Sequence, residues 1–234
     1  MSLITRRIIF YCLLIIFIVT APIIIGYTAG YRYSIKQRRI VTTGIISAQS
    51  NPEQARIYLN GSLHQDRTPA LITNLTPGSY KIEIVRDGFR PWSKTLNVES
   101  EQTTFTGTVM LFKNAEPRPI LSIPEAVRTE RSKLIIFNAH EVWYDNLKTQ
   151  ERKLITRLLE KINDVIPLQN DSAVLLILPN RIRALELDLR DRQNFWDLAI
   201  FDEIKNTSLA EDERTLFIEG IWQDQTGQWA LSLF

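Results

Sequence analysis

The chain has 234 residues, a net charge of +2 and a single cysteine, Cys12. That length allows one domain or two small ones. The near-neutral balance points away from nucleic acid and from strongly charged substrates. One cysteine excludes an intrachain disulfide and a cysteine-based metal site. The apolar residues are ordinary in number but uneven in placement, and many fall in one N-terminal run.

That run, Ile8 to Ile25, is almost wholly apolar, and with Gly26 to Ala29 it can cross a hydrocarbon core of about 30 Å. The lipid bilayer is therefore expected to be a partner through residues 8–29. A cleaved signal peptide is the competing reading. Val19-Thr20-Ala21 would place Pro22 after the scissile bond, and Tyr27-Thr28-Ala29 puts a bulky residue where a small one is needed. A retained anchor is the expectation, with residues 1–39 as anchor and juxtamembrane segment. Arg6 and Arg7 precede the span; Arg32, Lys36, Arg38 and Arg39 follow it. A bare count of basic residues places the C-terminal bulk in the cytoplasm, whereas a short tail with two arginines is a usual signal-anchor form. The basic group after the span suits either anionic headgroups or a solvated linker.

Ile40 to Gln49 leads into a first strand, and residues 40–112 read as a small antiparallel β-sandwich. Ala55, Ile57 and Leu59 alternate with Arg56 and Tyr58, and Tyr80, Ile82 and Ile84 alternate with Lys81 and Glu83. A period of two marks a strand with one buried face. Asn60-Gly61 and Asp87-Gly88 suit turns with positive φ, and Pro77-Gly78 suits a type II turn. The segment also holds, in order, Pro52-Glu53-Gln54-Ala55, Asn60-Gly61, Thr68-Pro69, Pro77-Gly78 with Tyr80, and Gly88-Phe89 with Trp92. By these residues it resembles a PEGA domain. Gln54 stands where that motif has glycine, which suggests that the turn needs no positive φ there. The resemblance implies an extracytoplasmic binding or spacer module of the envelope and does not imply an enzyme.

Residues 113–131 read as a linker, with Pro117, Pro119 and Pro124 favouring extended chain. Residues 132–234 show a weak repeat of apolar strand, turn, second strand and polar turn, at a spacing of about 40 residues. The strands start at Leu134, Val174 and Leu216. This segment resembles the WD40-like propeller that follows a PEGA domain in some membrane-anchored bacterial proteins. It departs from that pattern in count, because about three units fit where a closed propeller takes four to eight blades. Thr156 to Asn163, with Leu158, Leu159 and Ile162, offers a short amphipathic helix as a local alternative.

A search for chemistry yields no constellation. His64 and His140 stand apart, without ligand-spaced neighbours. Glu186 and Asp188 alternate with Leu185 and Leu187, so they read as the wet face of a strand rather than an acid–base pair. Glu211, Asp212 and Glu213 read as a turn. The five tryptophans, Trp92, Trp143, Trp196, Trp222 and Trp229, sit in or beside strand patterns, where core packing competes with sugar stacking. No catalytic, metal or cofactor-binding residue is assigned. The sequence thus reads as a mainly β protein: a transmembrane helix, a PEGA-like sandwich, then propeller-like β-meanders. The expected function is non-catalytic, a single-pass envelope protein presenting its β-modules outside the membrane. An envelope protein or a cell-wall carbohydrate is the expected partner, with self-association through the C-terminal repeats. The alternative is a regulatory or sensor subunit whose β-domains bind a partner in the cytoplasm.

Overall fold

The computed structural model describes residues 3–34, 39–124, 135–146, 151–168 and 172–234. Lys36, Arg38 and Leu134, and the start of the repeat segment at residue 132, lie outside the described residues. The protein is mainly β, with one long N-terminal helix. That helix, α1, spans Leu3–Thr28 and is long and apolar enough to cross a membrane. Its apolar side chains are exposed on every side, from Ile8 and Phe10 to Ile24 and Ile25. A helix packed against a protein core would instead hide one stripe. Pro22 lies inside α1, and the Thr20 and Thr28 hydroxyls donate back to the carbonyls of Ile16 and Ile24.

Two short strands follow at once, β1 (Tyr31–Ser34) and β2 (Arg39–Thr42), paired antiparallel from Tyr31↔Thr42 to Ser34↔Arg39. The segment read as juxtamembrane chain thus opens a hairpin. Next come β3 (Gly44–Asn51), β4 (Arg56–Leu59), β5 (Ser62–Arg67), β6 (Ala70–Leu75), β7 (Gly78–Val85), β8 (Trp92–Val98) and β9 (Thr103–Met110). They form two sheets, ordered β6-β3-β9 and β5-β4-β7-β8. Ile82 and Ile84 on β7 are fully buried while Lys81 is exposed, so the alternation in the sequence sets the register of this strand.

The chain forms two compact units. The first comprises Met1–Ser47, Leu71–Tyr80 and Asn97–Phe105. It holds α1, the β1–β2 hairpin and one end of several sandwich strands, with Ile46, Ile72, Leu75 and Val98 buried. Within it the Ile45 amide donates to the Gln102 carbonyl at 3.0 Å, and the Glu101 amide to Thr43 at 3.1 Å.

The second unit comprises Ala48–Ala70, Lys81–Leu96 and Thr106–Phe234. Its C-terminal part holds three antiparallel meander sheets. The first is β11 (Ile135–Phe137), β12 (Glu141–Asn146) and β13 (Glu151–Arg157). The second is β14 (Asp164–Pro167), β15 (Ala173–Ile177), β16 (Arg181–Glu186) and β17 (Phe195–Ile200). The third is β18 (Glu203–Leu209), β19 (Thr215–Trp222) and β20 (Gln225–Ser232). To its β20 edge the chain adds β10 (Arg118–Ile120), drawn from the segment read as linker. Strand order establishes separate meanders and does not by itself make a closed ring.

Residues 156–163 form no helix. Thr156 and Arg157 end β13, and the amides of Leu158 and Ile162 donate to the carbonyls of His140 and Ala139 at 2.8 and 2.7 Å. Those donors are therefore spent on the turn before β12 and cannot build an i→i−4 ladder. Apolar clusters among the described residues hold this unit together. One joins Leu175, Ala184, Ile218 and Leu231 of the second and third meanders to Met110 and Phe112, at the end of β9. Another gathers Val142, Ile155 and Ile162 with Val174, Leu176 and Leu185. Residues of the sandwich and of the meanders thus share one core within this unit.

Candidate functional site, a buried polar cluster

The one dense gathering of charge in the interior, among the described residues, lies where β8 meets the loop between β16 and β17. Lys94 alternates with Trp92 and Leu96 on β8, and all three are buried. The Lys94 side chain is fully hidden from solvent. Its Nζ lies 2.9 Å from Glu186 Oε2 and 3.3 Å from Asp188 Oδ2, and donates to the Asp188 carbonyl at 2.8 Å. Three oxygens thus lie within 3.3 Å of an ammonium that has three donors.

Glu186 is held as completely. Trp92 Nε1 donates to its Oε1 at 2.8 Å, and Asn194 Nδ2 to its Oε2 at 2.8 Å. Gln193 Nε2 donates to its main-chain carbonyl at 2.6 Å. Asn194 Nδ2 also reaches the Ser93 carbonyl at 3.1 Å, and Thr95 donates its amide to Asp191 Oδ2 at 2.7 Å. Burial acts to raise the Asp188 carboxyl. The Arg190 hydrogen bonds and the Lys94 charge outweigh it, and the group is held below its ordinary range. Asp191 is lowered by the Thr95 amide, and Asp197 by the Arg183 guanidinium that grips both its oxygens at 2.6 and 3.0 Å.

Glu186 and Asp188 therefore do not line the wet face expected from their alternation with Leu185 and Leu187. Ala184, Leu185 and Glu186 are buried in succession, because β16 has protein on both faces. A cavity of about 340 Å³ opens beside the cluster, lined by Trp92, Gly107, Met110, Glu186, Asp188 and Trp196. Gly107 has φ +72 with open space around it, so backbone conformation, not crowding, favours glycine there. The two carboxylates at this cavity are already bonded to Trp92, Lys94, Asn194 and Arg190. The arrangement can fix two segments in register; it leaves no exposed base at Lys94 to act on a substrate.

The motif residues fall into separate places. Pro52 and Glu53 follow β3, and the Gln54 amide donates to the Thr68 carbonyl at 2.8 Å. Gln54 has φ +65. The expectation that the substitution frees this turn from positive φ is overturned: the left-handed backbone remains, and a glutamine adopts it at some steric cost. Ala55 is fully buried and donates its amide to Thr68 Oγ1 at 3.0 Å; that hydroxyl lies 2.6 Å from Ser50 Oγ. Pro69 follows directly, joined to Thr68 by a cis peptide. Asn60 and Gly61 have φ +50 and +82, as a two-residue hairpin turn requires, and Asn60 Oδ1 accepts the Lys81 amide at 2.9 Å. Gly78, at φ +156, starts β7 after Pro77 and does not close the expected type II turn. Tyr80 donates its hydroxyl to the Thr76 carbonyl at 2.8 Å. Gly88 accepts the Asn114 amide at 2.8 Å, and the Phe89 amide closes the turn onto Arg86. Only Trp92 joins the buried cluster.

The other tryptophans also have protein neighbours. Trp229 is buried with Trp222 edge-on at 5.0 Å, Trp196 packs on Phe112 and reaches the Pro91 carbonyl, and Trp143 Nε1 donates to Glu141. His64 lies in β5, and His140 in the turn before β12.

These observations define a mainly β protein with a membrane-compatible helix, in which a sandwich strand is locked by buried charge to a meander. Residues 43–111 match the family model of the PEGA domain, and that span contains every motif residue from Pro52 to Trp92. Among curated proteins, none matches the chain.

Proposed function

We propose that the protein is a non-catalytic, single-pass envelope protein that holds its β-modules outside the membrane, where they meet an envelope protein or a cell-wall carbohydrate. The observation that carries this reading is α1, apolar on all sides, in one chain with a PEGA-matching segment. The Lys94 cluster supports a structural role, since its charges serve one another. A short N-terminal tail carrying Arg6 and Arg7 before the span is a usual signal-anchor form and supports the outward orientation.

Protease treatment of intact cells tests the orientation. Loss of the β-modules, with retention of an N-terminal fragment in alkali-washed membranes, is the expected result. Full protection until the cells are lysed would favour the cytoplasmic regulatory reading. Recovery of a mature N-terminus near Pro22 or Gly30 would remove the anchor altogether.

A further inference from the structure

The β1–β2 hairpin is the strongest unexplained surface. Strand pairing places Tyr31, Tyr33, Ile40 and Thr42 on one face, and Arg32 with Val41 on the other. The second face is the inner one: Val41 is buried, and Arg32 NH2 donates to Asn74 Oδ1 at 3.1 Å. The first face is bare. Tyr31, Tyr33 and Ile40 are 50%, 64% and 68% exposed, and Tyr33 sits directly across from Ile40. Two tyrosines and an isoleucine on so small a hairpin are an apolar face with two hydroxyl tips.

The hairpin is also tied to the helix end. Arg32 bonds the carbonyls of Tyr27 and Tyr31, and the Thr43 amide donates to the Gly30 carbonyl at 3.0 Å. Gly30 has φ +84, and a Cβ there would stand 3.1 Å from Thr43 Oγ1, so the tight exit from α1 is built for glycine. From Ile8 to Thr28 the helix rises about 30 Å, the thickness of a hydrocarbon core. The three residues from Thr28 to Tyr31 reach no more than about 10 Å further. The hairpin therefore starts within the headgroup layer, where tyrosine is favoured because its ring is apolar and its hydroxyl is wet.

We propose that the outer face of this hairpin, Tyr31, Tyr33 and Ile40, is a membrane-interface foot that rests in the lipid headgroup layer. It continues the lipid-facing surface of α1 and fixes the angle at which the chain leaves the bilayer. The inference rests on the anchor reading of α1.

The test uses the full chain reconstituted in phosphatidylcholine–phosphatidylglycerol vesicles. A polarity-sensitive fluorophore is attached either to the native Cys12 or, in a Cys12→Ser background, to Y33C, I40C or L159C. Leu159 is fully exposed and serves as the water reference. Quencher lipids carry their label at the headgroup or deep in the chain. The expected result is strong quenching of Cys12 by deep label, of Y33C and I40C by headgroup label, and of L159C by neither. Quenching at Cys12 with Y33C and I40C behaving like L159C would overturn the foot and leave the anchor intact. A blue-shifted Y33C that no lipid quenches would also overturn it, by showing a protein neighbour in place of lipid. An unquenched Cys12 would remove the anchor and the foot together.

Discussion

Lys94 is the residue on which the buried cluster turns. Removing one partner of a buried ion pair leaves the others desolvated and unpaired, which costs about 3–5 kcal/mol. Lys94→Ala should lose about that much stability, measured by denaturant unfolding, because Glu186 would lose its cation and Asp188 would keep only Arg190. Lys94→Met with Glu186→Gln should recover part of the loss, since methionine fills the space and the amide carries no charge. A Lys94→Ala protein as stable as the parent would show that the charge is not needed. Asp188 adds a dependence on pH. Its folded-state carboxyl lies below the ordinary value of 3.8, so its contribution is fully present above that value and is lost as pH falls through the folded value. Asp188→Asn should therefore flatten the acid limb of a plot of melting temperature against pH, and an unchanged acid limb would count against the assigned pairing.

The strands show which signals a sequence carries locally. Ile82 and Ile84 could be placed because a period of two depends only on near neighbours, and both are fully buried. The Asn60-Gly61 turn was legible for the same reason, its chemistry being that of two adjacent residues. Glu186 was not, since Trp92, which bonds its carboxylate, lies 94 positions away, and Leu-Glu-Leu-Asp has the pattern of a half-wet strand. The alternative of a short helix over Thr156 to Asn163 fails because the Leu158 and Ile162 amides are claimed by a turn some twenty residues earlier. The prolines after Phe112 signal extended chain, which suits a linker, and extended chain is also what a strand needs. Here the Lys113 amide donates to Leu233 and the Asn114 amide to Gly88, both at 2.8 Å, before β10 joins β20. Hydrogen exchange should find these two amides protected to the same degree as the middle of β20. Exchange at the rate of free chain would return the segment to a plain linker.

At the scale of the whole molecule, the second unit draws on both the sandwich and the meanders, so its C-terminal part should not stand alone. A fragment beginning at Ser132 loses Met110 and Phe112 from the larger core, β10 from the edge of β20, and Trp92 and Lys94 from around Glu186. Phe112 is almost fully buried and packs on Trp196 at 5.4 Å and on Phe234 at 5.5 Å. Its absence leaves two aromatic rings and their apolar neighbours facing water, and an exposed edge at β20 is a template for pairing with another copy. The buried carboxylate of Glu186 would meanwhile lose its tryptophan and its lysine. The fragment 132–234 should therefore aggregate or dimerise, whereas 43–234, which keeps all these groups, should self-associate less and unfold at a higher temperature. Size-exclusion chromatography with light scattering, followed by thermal unfolding, distinguishes the two. A monomeric 132–234 fragment with a sharp unfolding transition would show that the meanders close on themselves, and that Met110, Phe112 and the Lys94 cluster are additions to a core already complete.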